Sequence, residues 1–206
     1  MNPRQAHWEN IYQAKPANSV SWFQPSARAS LEMIHAAGIE QTTPIIDVGG
    51  GASVLVDELL DNGFQDVTVL DIAAPALKLS HQRLHSRACL VHWIVADVLA
   101  WKPERSYGLW HDRAVFHFLT EAQDRLNYRD TVERALLPGA WLILATFAED
   151  GPERCSGLPV QRWSSDALAA EWGDGFELIQ NLREVHTTPS GATQSFTWCR
   201  FRRTTA

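Results

Sequence analysis

Between Pro44 and Phe147 the chain alternates short apolar runs with amphipathic stretches, and that alternation limits the fold more than any other feature. Residues 45–48, 67–70, 91–96, 107–111 and 140–147 have the length and apolar content of buried strands, and helical stretches at 52–62, 74–87 and 121–136 are interleaved with them. Repeated alternation of this kind implies a parallel sheet covered by helices. The pattern changes at the end. After a helix predicted over 164–172, strands at 175–185 and 192–202 are joined through Thr188-Pro189-Ser190-Gly191. So short a link joins antiparallel neighbours. The expectation is an α/β fold: a doubly wound seven-stranded sheet, mostly parallel with an antiparallel last strand, and helices on both faces.

The first 40 residues stand apart from this alternation. A short helix is predicted over 4–14 and a second over 26–37, with Ser26 as a cap, Leu31, Ile34 and Ala37 on one face, and Gly38 after it. The aromatic-bearing connection Ser19-Val20-Ser21-Trp22-Phe23-Gln24-Pro25 lies between them. No repeat, low-complexity tract or Pro/Ser-rich linker divides the 206 residues, and 45% hydrophobic content suffices for one sizeable core. One domain is expected over 1–206: a helical lid at 1–40, a binding core at 44–147, and a substrate-side loop with the antiparallel hairpin at 148–206.

A net charge of -6, with 18 Lys and Arg scattered rather than clustered, speaks against nucleic-acid binding. Cys89, Cys155 and Cys199 are odd in number and far apart, without a Cys-x-x-Cys, and read as reduced thiols. The N-terminus has no signal-peptide core and no apolar run is of membrane-spanning length, so a cytoplasmic protein with no membrane partner is expected. The sequence leaves the oligomeric state open. Nine tryptophans are many for this length; most read as core, and some as the lining of a pocket for a cationic, aromatic ligand.

The strongest local signal is Ile46-Asp47-Val48-Gly49-Gly50-Gly51-Ala52-Ser53, a strand running into a glycine turn and then a helix. Two further acids follow strands, Asp71 after Val67-Thr68-Val69-Leu70 and Asp97 after residues 91–96. In an open parallel sheet these strand ends line one crevice, so Asp47, Asp71 and Asp97 are expected to converge. One such aspartate reads as a cap or a turn; three in this pattern suit a ligand rich in cationic and donor groups. A dinucleotide site would want an apolar residue in place of Asp47 and Gly or Ala in place of Val54.

With these residues in view, segment 45–147 resembles the core of class I S-adenosylmethionine-dependent methyltransferases, whose Rossmann-like sheet also ends in an antiparallel strand. The resemblance implies S-adenosylmethionine as cofactor, with Asp47, Gly49 and Gly51 cradling its methionine part and Gly50 between them. It implies Asp71 on the ribose hydroxyls, Ile72 packed on the adenine, and Asp97 with Val98 at the adenine edge. Trp110-His111-Asp112-Arg113 would pass beside the methyl group, which puts His111 against the cofactor as well. Ser53 stands where the third motif glycine would be. His7-Trp8-Glu9-Asn10-Ile11-Tyr12 followed by Val20-Ser21-Trp22-Phe23 resembles the lid of thiol and thiopurine methyltransferases and of lysine methyltransferases acting on citrate synthase or elongation factors. Trp110 to Leu119 and Gly151 to Val160 resemble a bacterial group described only as generic methyltransferases.

Methyl transfer from a sulfonium releases a neutral thioether, so orientation and exclusion of water are the main demands; a base is needed only if the acceptor is protonated. His111 or His117 could accept that proton, Asp112 could orient an acceptor or a base, and Arg113 could bind a carboxylate. Equally, His117 could be a core histidine and Asp112 a local partner of Arg113. The long segment 147–163 is expected over the pocket, with Trp22, Phe23 and Cys155 on the substrate side and Cys155 as packing rather than nucleophile. His81 and His85 lie one turn apart, but no further ligand is nearby, and no metal is expected. A lid rich in aromatics and no added recognition domain favour a small-molecule acceptor, with a protein lysine as the alternative. A nicotinamide-dependent reductase fits less well, since Tyr12, Tyr107 and Tyr128 have Pro16, His111 and Val132, not Lys, four residues on. A non-catalytic cofactor-binding subunit is the remaining alternative.

Overall fold

Each residue of β1 (Ile45–Val48) and of β2 (Val67–Asp71) is buried, as strands covered on both faces must be. The computed structural model describes residues 2–205. Helices α1 (Pro3–Ala14) and α2 (Arg28–Ala36) precede β1; α3 (Leu55–Asp61) leads to β2, and α4 (Ala74–Leu84) to β3 (Val91–Val95). Then come β4 (Tyr107–Arg113), α5 (Ala122–Ala135), β5 (Leu136–Phe147), the two-residue strands β6 (Arg154–Cys155) and β7 (Leu158–Pro159), α6 (Ser165–Trp172), β8 (Phe176–Thr187) and β9 (Thr193–Arg203).

The seven long strands form one sheet in the order β3-β2-β1-β4-β5-β9-β8. Pairings among β1 to β5 are parallel; β9 runs antiparallel to both β5 and β8. The expected sheet is therefore present, with the final strand inserted between β5 and β8. The strand order reverses between β1 and β4, which opens a crevice at their carboxyl ends. On one face α2, α3 and α4 bury Met33, Ile34, Leu55, Leu59 and Leu77 with Phe196 and Trp198. On the other, α5 and α6 bury Tyr128, Val132, Leu168 and Trp172 with Trp110, Phe116 and Phe201.

Several boundaries differ from the sequence expectation, each for a local reason. Ser26 does not cap α2; the helix starts at Arg28, and the Ala27 N–H donates to Glu58 Oε2 of α3 at 2.9 Å. The helix expected from 52 starts at Leu55, because the glycine turn continues to Ser53, whose Oγ accepts from the Leu55 N–H. The next helix stops at Leu84, where His85 takes φ 51 and a 3-10 turn follows. β4 runs on to Arg113, so His111, Asp112 and Arg113 belong to the strand itself, with its alternating faces. The segment after β5 is not structureless: β6 and β7 pair across Ser156-Gly157, both at positive φ, as tight hairpin turns require. Among the described residues no helix is long and apolar enough to cross a membrane, all three cysteines are unpaired, and no His, Cys, Asp or Glu group gathers for a metal ion.

Candidate active site

The crevice begins at the glycine turn after β1. Gly49 has φ 69 and Gly51 φ 39, a backbone that side-chain-bearing residues rarely adopt. A Cβ on Gly49 would collide with Val115, and one on Gly51 would sit 2.8 Å from Asp71 Oδ2. The turn thus lets the backbone come close to whatever lies between Asp71 and Val115.

That space is a cavity of about 860 Å³, open mouth included. Its floor is the ends of three adjacent strands: Val48 and Gly49, then Leu70, Asp71 and Ile72, then Ala96, Asp97 and Val98. The Asp71 carboxylate accepts from the Ala73 N–H at 2.7 Å. Burial, with the charge of Asp47 nearby, pushes it up to about 7, against the stabilising N–H groups of Ala73, Gly51 and Ile72. Asp97 is less enclosed. It accepts from the Leu99 N–H at 3.1 Å and, across 95 residues of chain, from the Asn2 amide at 2.6 Å, with Arg4 Nη1 at 3.9 Å. The start of α1 therefore lies against the carboxylate that ends the third strand.

Asp47 faces a second hollow of about 560 Å³, mouth included, which shares Tyr12, Trp22, Gly49 and Arg113 with the first. Its buried polar wall is a relay. His111, opposite Asp47 in the β1–β4 register, contacts Asp47 Oδ1 through Nδ1 at 2.7 Å and Ser30 Oγ through Nε2 at 3.0 Å. A carboxylate only accepts, so Nδ1 carries the hydrogen, and Nε2 shares a hydrogen bond with the serine hydroxyl. Gly50, Ser53 and Phe23 line the same hollow.

Arg113 lines both hollows. Its Nη1 donates to the Trp22 carbonyl at 3.2 Å and its guanidinium lies 4.7 Å from the centre of the Phe196 ring, while Nε and Nη2 are buried without a hydrogen-bond partner. Burial lowers it to about 10, so it remains a cation. Around it stand Trp8, Trp22, Phe118 and Cys155, whose thiol burial pushes up. Trp8 meets Trp22 and Phe118 edge-on at 5.7 and 5.0 Å.

Asp112 and His117 line neither hollow. Asp112 accepts from the Tyr128 hydroxyl and from the Val115 and Phe116 N–H groups at 2.7 and 3.0 Å. Burial pushes its carboxyl up to about 6 against those bonds, and its effect is to fasten the turn that carries Val115 and Phe118 to the cavity. His117 Nδ1 accepts from the Phe147 N–H at 3.2 Å, and burial beside Arg113 lowers the ring to about 3, so it is neutral. Of the residues expected from sequence, Asp47, Gly49, Gly50, Asp71, Ile72, Asp97, Val98, His111, Arg113, Trp22, Phe23 and Cys155 line one hollow or both, and Gly51 abuts Asp71. Sequence reasoning missed Arg4 and Ser30 as site residues. Nothing in their local pattern marks them; only folding brings Arg4 to Asp97 and Ser30 to His111.

Residues 45–139 match the family model described as a methyltransferase domain. A malonyl-[acyl-carrier protein] O-methyltransferase from Ilyobacter polytropus is 26% identical over 113 residues, 54% of this chain and 42% of that protein, so the chain matches less than half the length of this relative. The fold is similar to that of an S-adenosylmethionine-dependent methyltransferase from Anabaena variabilis, at TM-score 0.72, 14% identity and coverage of 98% and 96% of the two chains. It is also similar to a Burkholderia thailandensis 1,6-didemethyltoxoflavin-N1-methyltransferase with its bound small molecule and S-adenosylhomocysteine, at TM-score 0.69, 17% identity and coverage of 97% and 84%. The strand order and the glycine turn with its three aspartates thus lie in a segment that matches a methyltransferase domain, within a fold shared with S-adenosylmethionine-dependent methyltransferases.

Proposed function

We propose that the protein transfers the methyl group of S-adenosylmethionine to a small-molecule acceptor. The observation that carries this reading is the buried Asp71 carboxylate set against the Gly51 bend, where a Cβ would intrude. A carboxylate there suits a ribose diol, and Asp97 with Val98 beyond it suits the donor edge of an adenine. The residues thus fit the cofactor: Asp47 and the turn at 49–51 for its amino-acid end, Asp71, Ile72, Asp97 and Val98 for its nucleoside. When bound, S-adenosylmethionine supplies an electrophilic methyl whose leaving group is a neutral thioether.

The protein's part is then to position and to keep dry. Trp8, Trp22, Phe118 and Val115 form the apolar wall that excludes water, and the Ser30–His111–Asp47 relay fixes the Asp47 carboxylate in one orientation. Enclosure by side chains from separate elements favours a small acceptor, and three unpaired cysteines favour a cytoplasmic location.

Titration calorimetry should show S-adenosylhomocysteine binding to the wild type and greatly weakened binding to Asp71→Ala. Labelled cofactor incubated with a metabolite pool should give a labelled low-mass product. Label found only in protein bands would instead select a protein acceptor, and no binding at all would remove the methyltransferase reading.

A further inference from the structure

Arg113 is a half-buried cation with no ion-pair partner among the described residues. Its Nε and Nη2 touch no acceptor, and the nearby Glu184 is committed elsewhere, accepting from Gln24 Nε2 at 3.1 Å and from Trp198 Nε1 at 2.7 Å. Arg113 lines the cavity, and a guanidinium fork with two unspent donors has the shape to take a planar oxyanion. The surroundings are apolar: Phe196 lies under the guanidinium, and Trp8, Trp22 and Phe118 share the cavity wall.

The same wall lacks a free base. His111 spends one ring nitrogen on Asp47 and the other on Ser30, and His117 does not reach the cavity. The Tyr12 hydroxyl accepts from Trp22 Nε1, and Cys155 is held as a thiol. In the proposed reading, Asp71 and Asp97 are taken by the nucleoside. An amine or alcohol acceptor would reach this wall carrying a proton that no side chain is free to take. A carboxylate is already ionised at neutral pH.

We infer that the acceptor is a small carboxylic acid with an apolar body, that Arg113 holds its carboxylate, and that a carboxylate oxygen takes the methyl group. This rests on the methyl-transfer reading above. One O–C bond forms as the S–C bond of the sulfonium breaks, the bonding pair goes to sulfur, and no proton moves. The product is a neutral methyl ester, which loses its charge pairing with Arg113 and so leaves more readily than the acid.

The test is calorimetry on the full chain saturated with S-adenosylhomocysteine, titrated with three matched pairs: indole-3-acetate and its amide, phenylacetate and its amide, hexanoate and its amide. At least one carboxylate should bind tenfold or more tighter than its amide and, with S-adenosylmethionine, yield its methyl ester by mass spectrometry. Arg113→Gln should erase the preference while leaving S-adenosylhomocysteine affinity within twofold, and Arg113→Lys should restore part of it. Equal binding of acid and amide in all three pairs would overturn the inference, and needs no variant. So would a Gln variant that weakens S-adenosylhomocysteine tenfold but leaves 5′-methylthioadenosine unchanged, since that assigns the guanidinium to the cofactor's own carboxylate. Failure of the wild type to bind S-adenosylhomocysteine defeats the methyltransferase reading instead, so the two failures are distinct.

Discussion

The cavity has two walls of different construction. The floor at Asp71 and Asp97 comes from the ends of neighbouring strands, supported by backbone N–H groups of Ala73 and Leu99. The facing wall takes Trp8 and Tyr12 from α1, Trp22 from the following connection, Arg113 from β4, Phe118 from the turn beyond it and Cys155 from β6. Strand-end geometry is dictated by the parallel sheet, so the floor can vary little without disturbing the sheet. The facing wall is assembled from side chains distant in sequence, and any one can change size or charge while the sheet stays intact. Floor and wall should therefore respond differently to substitution.

The largest effect should come from the wall's hidden anchor. Asp112→Ala removes the acceptor for Tyr128 and for the N–H groups of Val115 and Phe116, and should cost about 3 kcal/mol of stability, read as a lower denaturant midpoint. A change well below that would mean the turn at 116–118 holds itself. Next, on the floor, Asp71→Ala should weaken S-adenosylhomocysteine by roughly 1–3 kcal/mol, whereas Trp22→Ala should leave that affinity less affected than acceptor turnover. Equal losses for both would erase the distinction between the walls.

A pH series sharpens the contrast further. Asp71 is raised from 3.8 to about 7 in the fold, so the folded state binds more protons than the unfolded chain between those values, and the ligand-free protein loses stability as pH rises through that window. A ribose diol donates to the ionised carboxylate, so binding must release the proton below about 7. Affinity for S-adenosylhomocysteine should be about tenfold tighter at pH 8 than at pH 6, following the ionised fraction of a group of that pKa. An affinity flat with pH would detach Asp71 from the ligand. The smallest effect belongs to the partly exposed ion pairs of Arg4 with Asp124 and Asp97, where Arg4→Ala should shift stability by less than about 1 kcal/mol.

The floor was legible in the sequence because each of its parts is local. An apolar run, an acid and a glycine turn occupy one window around Asp47, and the same run-then-acid pattern recurs at Asp71 and Asp97. The sheet was legible for the same reason, down to the antiparallel hairpin, since strand length and turn chemistry are short-range signals. Element ends were less so: Ser26 is a good cap residue by type, but Glu58 supplies the bond at that end of α2. The relay from Asp47 through His111 to Ser30 joins three elements, and no spacing in the chain announces it. Asp112 and His117 illustrate the opposite limit. Two ionisable residues beside Arg113 look alike in sequence, yet strand alternation and the following turn send them away from the cavity.

The placement of β9 between β5 and β8 makes one wall of the site depend on a single strand pairing. β8 has no sheet neighbour but β9, so β9 alone joins the terminal hairpin to the edge of β5. Phe196 beneath Arg113 and Trp198 beside His111 are both carried by β9. The floor at Asp71 and Asp97 rests on β1 to β3 alone, so a hairpin lost or displaced from β5 would strip the backing from Arg113 and His111 while leaving those strand ends paired.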